Sequence, residues 1–257
     1  MTSEPRPAVM NENWRSYFCN VNDHLASIFV NLGIRSEIPI ASKPWLLWVW
    51  VYFKNSRPDG LSESTDPKLL FEIEDDLSQR LSDACGAILV GRITTQGRRE
   101  FYFYGERSQG YEKAVSAAMA RSAGYRFDIG NKEDSLWEQY LDVLHPSDRD
   151  TERIKNRDVL NVLKEKGDVL TATRQVQHWM YFTSSASREL FKQEVAKAGY
   201  QVEYESLVEG EKPFGISVSR TQPITEVDID ATVLDLLSLA QQFGGEYDGW
   251  ETPIITQ

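Results

Sequence analysis

Hydrophobic positions along the chain recur with two periods, every second residue and every third or fourth, which predicts a mixture of strands and helices. In the first half, strands are predicted over 14–21, 25–34, 44–53, 87–94, 98–104 and 125–129. Helices are predicted over 110–123 and 135–144, and an earlier helix carries the apolar stripe Leu70, Ile73, Leu77, Leu81 and Ala84. Asp66 and Pro67 suit the N-cap and the first position of that earlier helix.

The second half repeats this kind of pattern in a regular order. Helices are predicted over 149–166, from Ser184 or Ser185 to 198, and after a Thr225 cap. Strands are predicted over 175–182, 200–204, 214–220 and 246–251. In the second of these helices, the inward residues are predicted to be Leu190, Phe191, Val195 and Ala198. The order from the first strand onward is β-α-β-β-α-β, the split βαβ arrangement of ferredoxin-like domains.

A unit of aromatic strand, helix, Ala-Gly-Tyr and strand occurs once in each half, which indicates two similarly built domains. Pro146 follows a helical segment and precedes a polar run that restarts a helix, so it favours a boundary there. The sequence therefore predicts an α+β protein of two ferredoxin-like (split βαβ) α/β sandwich domains. Their predicted bounds are 1–147 and 148–257.

Composition indicates an ordinary globular protein of the cytoplasm. Hydrophobic residues make up 41% and charged residues 26% of the 257 residues. The apolar run 45–53 is too short to span a bilayer, and the first residues lack a signal-peptide pattern. Two distant cysteines, Cys19 and Cys85, suit a reducing compartment, and each is expected to be a small buried hydrophobe. No membrane association is expected.

Charge gives the first indication of a partner. The net charge is −11, which argues against nucleic-acid binding because phosphate contacts need a basic surface. Residues 149–202 contain ten basic and seven acidic residues, whereas residues 203–257 contain two basic and eleven acidic residues. The acidic segment is either a solvated surface or a patch that attracts a basic partner.

The sequence contains no phosphate-binding glycine loop, no dinucleotide motif and no His/Cys cluster with metal-ligand spacing. No catalytic residue, cofactor or metal ion is therefore predicted. A Cys19–His24 nucleophile is a minor alternative, because no third activating group accompanies it. Trp48, Trp50 and Tyr52 alternate with aliphatic residues, which is typical of a central strand covered on both faces. An aromatic ligand platform on that strand is the alternative.

Three segments of the C-terminal half together resemble the family of regulators of ribonuclease E activity B. They are Arg174 to Phe182, Ala198-Gly199-Tyr200, and the block Gly245 to Thr252 with its Glu-Tyr-Asp-Gly-Trp-x-Thr motif. The N-terminal half resembles an uncharacterised bacterial domain family that is often fused to it, through Trp14-x-x-Tyr17 and Trp137-x-x-Tyr140. The resemblance implies a small α/β protein without a cofactor that binds the endoribonuclease and inhibits RNA cleavage.

The leading hypothesis is thus a non-catalytic regulatory protein whose acidic C-terminal domain binds a protein, with an endoribonuclease or its RNA-decay complex as the expected partner. The candidate partner-binding residues are His178, Trp179, Tyr247, Asp248, Trp250 and Glu251. One alternative is an enzyme with a pocket within or between the domains. Another is RNA binding by strand aromatics of a ferredoxin-like sheet. The sequence does not identify the partner, the oligomeric state or the role of the first domain.

Overall fold

The chain divides into two compact units, with the division after Asp150. The computed structural model describes residues 12–55, 57–61, 67–122 and 124–256, so the expected cap Asp66 lies outside the described residues. Among the described helices, none is long and apolar enough to cross a membrane. Each unit combines helices with one antiparallel sheet, which confirms the predicted α+β class.

The described residues of the first unit form six strands and two α-helices. The strands are β1 Trp14–Val21, β2 His24–Asn31, β3 Trp45–Tyr52, β4 Ile88–Thr95, β5 Arg98–Gly105 and β6 Phe127–Glu133. The helices are α1 Pro67–Cys85 and α2 Tyr111–Met119, with a 3₁₀ turn at Leu32–Ile34 and a π-helical segment at Gln139–Leu144. The sheet order is β1-β2-β4-β5-β3-β6. Strands β3 to β6 therefore form a ferredoxin-like sheet, and the β1–β2 hairpin extends it beside β4.

The helices α1 and α2 cover one face of this sheet. The predicted stripe of α1 is buried at Leu70, Ile73, Leu77 and Leu81. It packs in one cluster with alternate residues of the central strands, namely Leu47, Val49, Val51, Phe101 and Phe103. Burial of this stripe and of alternate strand positions explains why the two hydrophobic periods were visible in the sequence.

The segment after β6 covers part of the opposite face. Trp137 is fully buried and stacks on Tyr104 with ring centroids 3.9 Å apart. The Tyr104 hydroxyl donates to Asp134 Oδ2 at 2.5 Å, and the same carboxylate accepts the backbone N–H groups of Glu138 and Gln139. Trp137 has a φ of 59°, a left-handed conformation that bulky residues rarely adopt. The predicted helix over 135–144 is thus shorter than expected, because Asp134 holds this turn before the π-helical segment begins.

The second unit, as described up to residue 256, has three helices and four strands. The helices are α3 Asp148–Glu165, α4 Ser185–Lys197 and α5 Glu226–Gln242. The strands are β7 Arg174–Phe182, β8 Gln201–Leu207, β9 Phe214–Gln222 and β10 Gly245–Glu251. The sheet order is β10-β7-β9-β8 with every neighbouring pair antiparallel. This is the ferredoxin-like arrangement that the sequence predicted.

Helix ends and inward faces of the second unit follow the sequence with two exceptions. Ser184 Oγ accepts the N–H of Ser187 at the start of α4, and Thr225 caps α5. Phe191 and Val195 are buried, but Leu190 is 50% exposed and Ala198 is exposed at the end of the helix, so the predicted inward positions of these two residues are wrong. Successive helical residues differ in direction by about 100°. Because α4 faces the sheet with Phe191 and Val195, Leu190 lies outside the buried stripe.

A buried ion pair ties the end of the chain to β7. Arg174 Nη1 lies 2.6 Å from Asp168 Oδ2, and both side chains are 1% exposed or less. Asp168 Oδ2 also accepts the N–H of Ile255, and Arg174 Nη1 donates to the carbonyl of Pro253. The residues after β10 are therefore fixed by charge-assisted hydrogen bonds to the side chains before and within β7.

Candidate partner-binding surface

The four-stranded sheet of the second unit has two different faces. Alternate β7 residues, Val176, His178, Met180 and Phe182, are fully buried toward the helices. The residues between them, Gln177, Trp179 and Tyr181, are half-buried and point to the other face. In the described part of this unit, α4 and α5 contact the sheet and the core lies on their side. We call the opposite side the exposed sheet face.

His178 and Tyr247 meet within the core. They are 0% and 4% exposed, and His178 Nδ1 lies 2.9 Å from the Tyr247 hydroxyl oxygen. Burial, with a smaller contribution from Arg220, lowers the pKa of His178 to about 3. Burial also raises the pKa of Tyr247 well above its usual range. The pair is therefore a neutral, buried hydrogen bond, and neither side chain reaches the surface.

Trp250 faces the same way as Tyr247 and joins β10 to the helices. Its Nε1 donates to Asn156 Oδ1 at 2.8 Å, and Asn156 Nδ2 donates to Asp230 Oδ1 at 2.8 Å. Burial raises the pKa of Asp230 above its usual value, although this hydrogen bond acts in the opposite direction. Trp250 packs half-buried against the core cluster. Three elements, β10, α3 and α5, are connected through this tryptophan.

The other three candidates lie outside the core. Trp179 is half-buried on the exposed sheet face, and its partner on β10 is Gly249. The register shifts between Tyr247 and Gly249, so Asp248 occupies a bulge and is exposed. Glu251 is exposed two residues beyond Gly249. The structure thus brings Trp179, Asp248 and Glu251 together around one short stretch of β10.

Further residues extend this face. On β8 and β9, Glu203 accepts from Ser219 Oγ and from Gln175 Nε2, which form a polar network across three strands. Tyr181 lies against Gly215, since a Cβ added there would be 3.0 Å from its ring. Glu246, the β10 partner of Tyr181, pairs with Lys212 at 2.5 Å. Rings and carboxylates therefore share the exposed sheet face.

The other candidate chemistry is separate from this face. Cys85 is buried as expected, whereas Cys19 is only half-buried, and both are free thiols whose pKa values are raised by burial. A raised thiol pKa reduces the thiolate fraction and opposes nucleophilic reactivity. Among the described residues, no group of His, Cys, Asp and Glu side chains is placed to hold a metal ion.

The family models match both halves of the chain. The model described as a family of unknown function, DUF695, matches residues 12–145, more than half of the chain. The chain belongs to the DUF695 family. Its second unit matches the model of RraB, regulator of ribonuclease activity B, over residues 153–252. Both resemblances inferred from the sequence are confirmed, and the RraB match supports a regulatory role over ribonuclease activity.

Other comparisons add no functional information about this DUF695 protein. An unknown protein from Galdieria sulphuraria is 10% identical, covers 82% of this chain and 99% of its own, and has a TM-score of 0.21. A proposed glycine cleavage system transcriptional repressor is 10% identical, covers 81% of this chain and 98% of its own, and has a TM-score of 0.25. Neither likeness carries an argument at such scores. A search of curated proteins found no match.

The DUF695 unit also has an aromatic row, on β3. Trp48, Trp50 and Tyr52 are half-buried, so the interpretation that β3 is fully covered on both faces is wrong for this face. Arginines of the same unit lie over two of these rings. The guanidinium of Arg98 is 4.5 Å from the Trp50 ring centroid, and that of Arg126 is 3.8 Å from the Tyr52 ring centroid. The rings of Trp50 and Tyr52 are therefore covered by cations of the unit itself.

Two residues of the exposed sheet face escaped sequence reasoning in this DUF695 protein. Tyr181 is not among the partner-binding residues predicted from the sequence, although its spacing of two residues from Trp179 on one strand places both side chains on the same face. Gly249 is visible in the sequence only as part of the terminal motif. Its role beside Trp179 depends on the β10 register, which a single sequence does not reveal.

Proposed function

We propose that this chain is a non-catalytic regulator that lowers the activity of an RNA-degrading endoribonuclease by binding protein through its second unit. Helix α3 begins at Asp148, so 1–147 and 148–257 are the domains we propose. The observation that carries the proposal is the exposed sheet face, where Asp248 and Glu251 lie beside Trp179. The RraB match supports the ribonuclease connection.

The charge of this face favours a protein over RNA. Trp179 and Tyr181 could stack on bases, as strand aromatics of ferredoxin-like domains do. However, phosphates would meet Glu203, Asp248 and Glu251, for which the described residues provide no ion-pair partner. Nucleic-acid affinity depends mainly on cations around the phosphates. A basic protein surface therefore suits this face better than RNA does.

The positions of the titratable groups favour binding over catalysis. A catalytic acid or base must reach the proton that it transfers. His178 is buried in the core. Among the residues that the structure describes, its hydrogen-bond partner is Tyr247, and its Nε2 is buried without one. Its low pKa therefore reflects burial in a packed core rather than a place in a substrate cleft.

The test is an inhibition assay with an endoribonuclease of the source organism and a fluorescent single-stranded RNA substrate. Full-length chain is compared with Asp248→Asn/Glu251→Gln and with a matched control, Glu209→Gln/Glu211→Gln, which removes two exposed charges from the β8–β9 loop. We expect the wild type and the control to inhibit, and the Asp248/Glu251 variant to need at least about tenfold more protein. Absence of inhibition by the wild type, or retention of the RNA substrate by the chain without contact to the nuclease, would refute the proposal.

A further inference from the structure

We infer that the exposed sheet face of the second unit binds an arginine side chain of its protein partner, stacked on Trp179 and paired with the carboxylates of Asp248 and Glu251. This inference rests on the proposed function and adds the chemistry of the partner. An arginine-containing segment of that partner is the occupant that the following observations favour.

The two units carry the same aromatic pair in the same strand of the same fold. Trp50 and Tyr52 lie on β3, and Trp179 and Tyr181 lie on β7; each strand is the first of its split βαβ unit. In both sheets the tryptophan and tyrosine point away from the α-helices that pack on the sheet. The neighbouring strands can therefore be compared position by position.

In the first unit, an arginine of the same sheet covers the tryptophan ring of the aromatic pair. On β5, Glu100 is the partner of Trp50 and Arg98 is the partner of Tyr52. Arg98 lies over Trp50 and its Nη2 is 2.6 Å from Glu100 Oε1. The site is thus a tryptophan ring, a guanidinium on the ring and a carboxylate on the guanidinium.

In the second unit, the corresponding strand provides no such cation. On β9, the partner of Trp179 is Ser217 and the partner of Tyr181 is Gly215. On the other side, the partner of Trp179 is Gly249. Serine and glycine are too short to cover an indole ring, so the place that Arg98 fills in the first unit is left to a residue from outside the unit.

Gly249 leaves room beside Trp179. A Cβ built on Gly249 would meet no atom within 4 Å, whereas one built on Gly130, beside Trp48 in the first unit, would collide with that indole. The Asp248 bulge sets this arrangement, because it places Gly249, not Asp248, opposite Trp179. The result is an open space on β10 beside the position of Trp179, which we call the notch, with an exposed acidic residue before it.

Carboxylates surround the notch. Glu251 is the diagonal cross-strand neighbour of Trp179, a relation that places backbones about 7–8 Å apart, within reach of a long side chain. A planar guanidinium can lie on the ring and donate in parallel to a carboxylate. A lysine ammonium is a compact, strongly hydrated charge and offers only a point contact. The site therefore favours arginine over lysine, and repels phosphate.

The experiment is a fluorescence anisotropy titration of the full chain with labelled probes. The probes are an eight-residue peptide of alternating arginine and serine, the same peptide with lysine in place of arginine, and an eight-nucleotide single-stranded RNA. We expect the arginine peptide to bind about tenfold more tightly than the lysine peptide, and RNA to bind more weakly than both. Equal binding of the two peptides, or tighter binding of RNA, would overturn the inference.

Variants assign the binding to this face. Trp179→Ala should weaken binding of the arginine peptide about five- to tenfold, Trp179→Phe should restore most of that loss, and Asp248→Asn/Glu251→Gln should weaken binding and reduce its salt dependence. Phe18→Ala, which removes an exposed aromatic ring from the first unit, is the control and should bind as the wild type does. Unchanged binding by Trp179→Ala, with an unchanged circular dichroism spectrum, contradicts the inference.

The ribonuclease assay separates this inference from the proposed function. If the chain inhibits the nuclease and Trp179→Ala inhibits it equally, the arginine site is wrong and the regulatory function stands. If the arginine peptide binds as expected and no endoribonuclease is inhibited, the site stands and the regulatory function is wrong.

Discussion

Mild acid should destabilise the second unit through the buried histidine His178. The pKa of its imidazole is lowered to about 3 in the folded unit, mainly by burial. In the unfolded chain a histidine has a pKa of about 6.5. Between these two pKa values, the imidazole of His178 is protonated in the unfolded chain but neutral in the folded unit. The stabilisation is therefore complete above pH 6.5 and is lost as the pH falls toward 3.

The size of the effect follows from proton linkage. At pH 5 an unfolded histidine is about 97% protonated, whereas His178 in the folded unit remains neutral. Relative to pH 7.5, this difference lowers the free energy of unfolding by about 2 kcal/mol. That is a large part of the stability of a small domain.

The assay is urea unfolding of the full chain at pH 7.5 and pH 5, followed by circular dichroism. His178→Gln cannot bind the proton, so its stability should fall about 2 kcal/mol less than that of the wild type over this interval. Tyr247→Phe is the control. It removes the hydroxyl 2.9 Å from Nδ1 but keeps the imidazole buried, so it should lower stability at both pH values and retain the pH dependence.

Equal pH dependence of the wild type and His178→Gln would refute this reasoning. Should the variant not fold, the imidazole can be titrated by NMR in the wild type. A His178 ring signal that changes between pH 7 and 6 would then contradict a neutral, buried imidazole, whereas a constant signal down to about pH 4 would support it.

Four further substitutions test the packing. Asp168→Ala leaves the Arg174 guanidinium buried without its carboxylate, and should cost about 3–5 kcal/mol in urea unfolding. Trp137→Ala removes a fully buried ring stacked on its neighbour, and should lower the stability of the first unit by about 3–5 kcal/mol, measured by thermal unfolding. Leu190→Ser should change stability by no more than about 0.5 kcal/mol because this side chain is half-exposed, whereas Phe191→Ala in the adjacent buried position should cost about 3–5 kcal/mol.

The fold could be predicted where local chemistry and periodicity determine it. The β1 strand and the caps Ser184 and Thr225 depend on neighbouring residues along the chain, and the structure confirms them. The predicted strand over 125–129 was misplaced and begins at Phe127. The residues that follow are mostly polar, so their pairing with β3 is determined by distant contacts rather than by their own pattern.

The candidate surface could be predicted only in part, because its geometry depends on strand register. The sequence singled out His178 and Trp179 together, although adjacent strand residues point to opposite faces. Alternation places the side chains of His178 and Trp179 on opposite faces of the sheet. The apolar residues Val176, Met180 and Phe182 share the face of His178, so that face lies against the helices. The position of Gly249 opposite Trp179 requires the bulge at Asp248, and no local signal in one sequence fixes that register.

The terminal Tyr-Asp-Gly-Trp-Glu motif can have a structural and a functional role together, because alternate positions of one strand point to opposite faces of the sheet. Tyr247 and Trp250 face the helices, where they bond to His178 and Asn156 and anchor β10 to the core. Asp248, Gly249 and Glu251 form the outer side of the same strand. Because Tyr247 and Trp250 are anchored in the core, the backbone of β10 is fixed. Their packing therefore positions the notch and the carboxylates of Asp248 and Glu251, which need no contacts of their own. A substitution at Tyr247 should therefore affect both stability and binding, whereas one at Glu251 should affect binding alone.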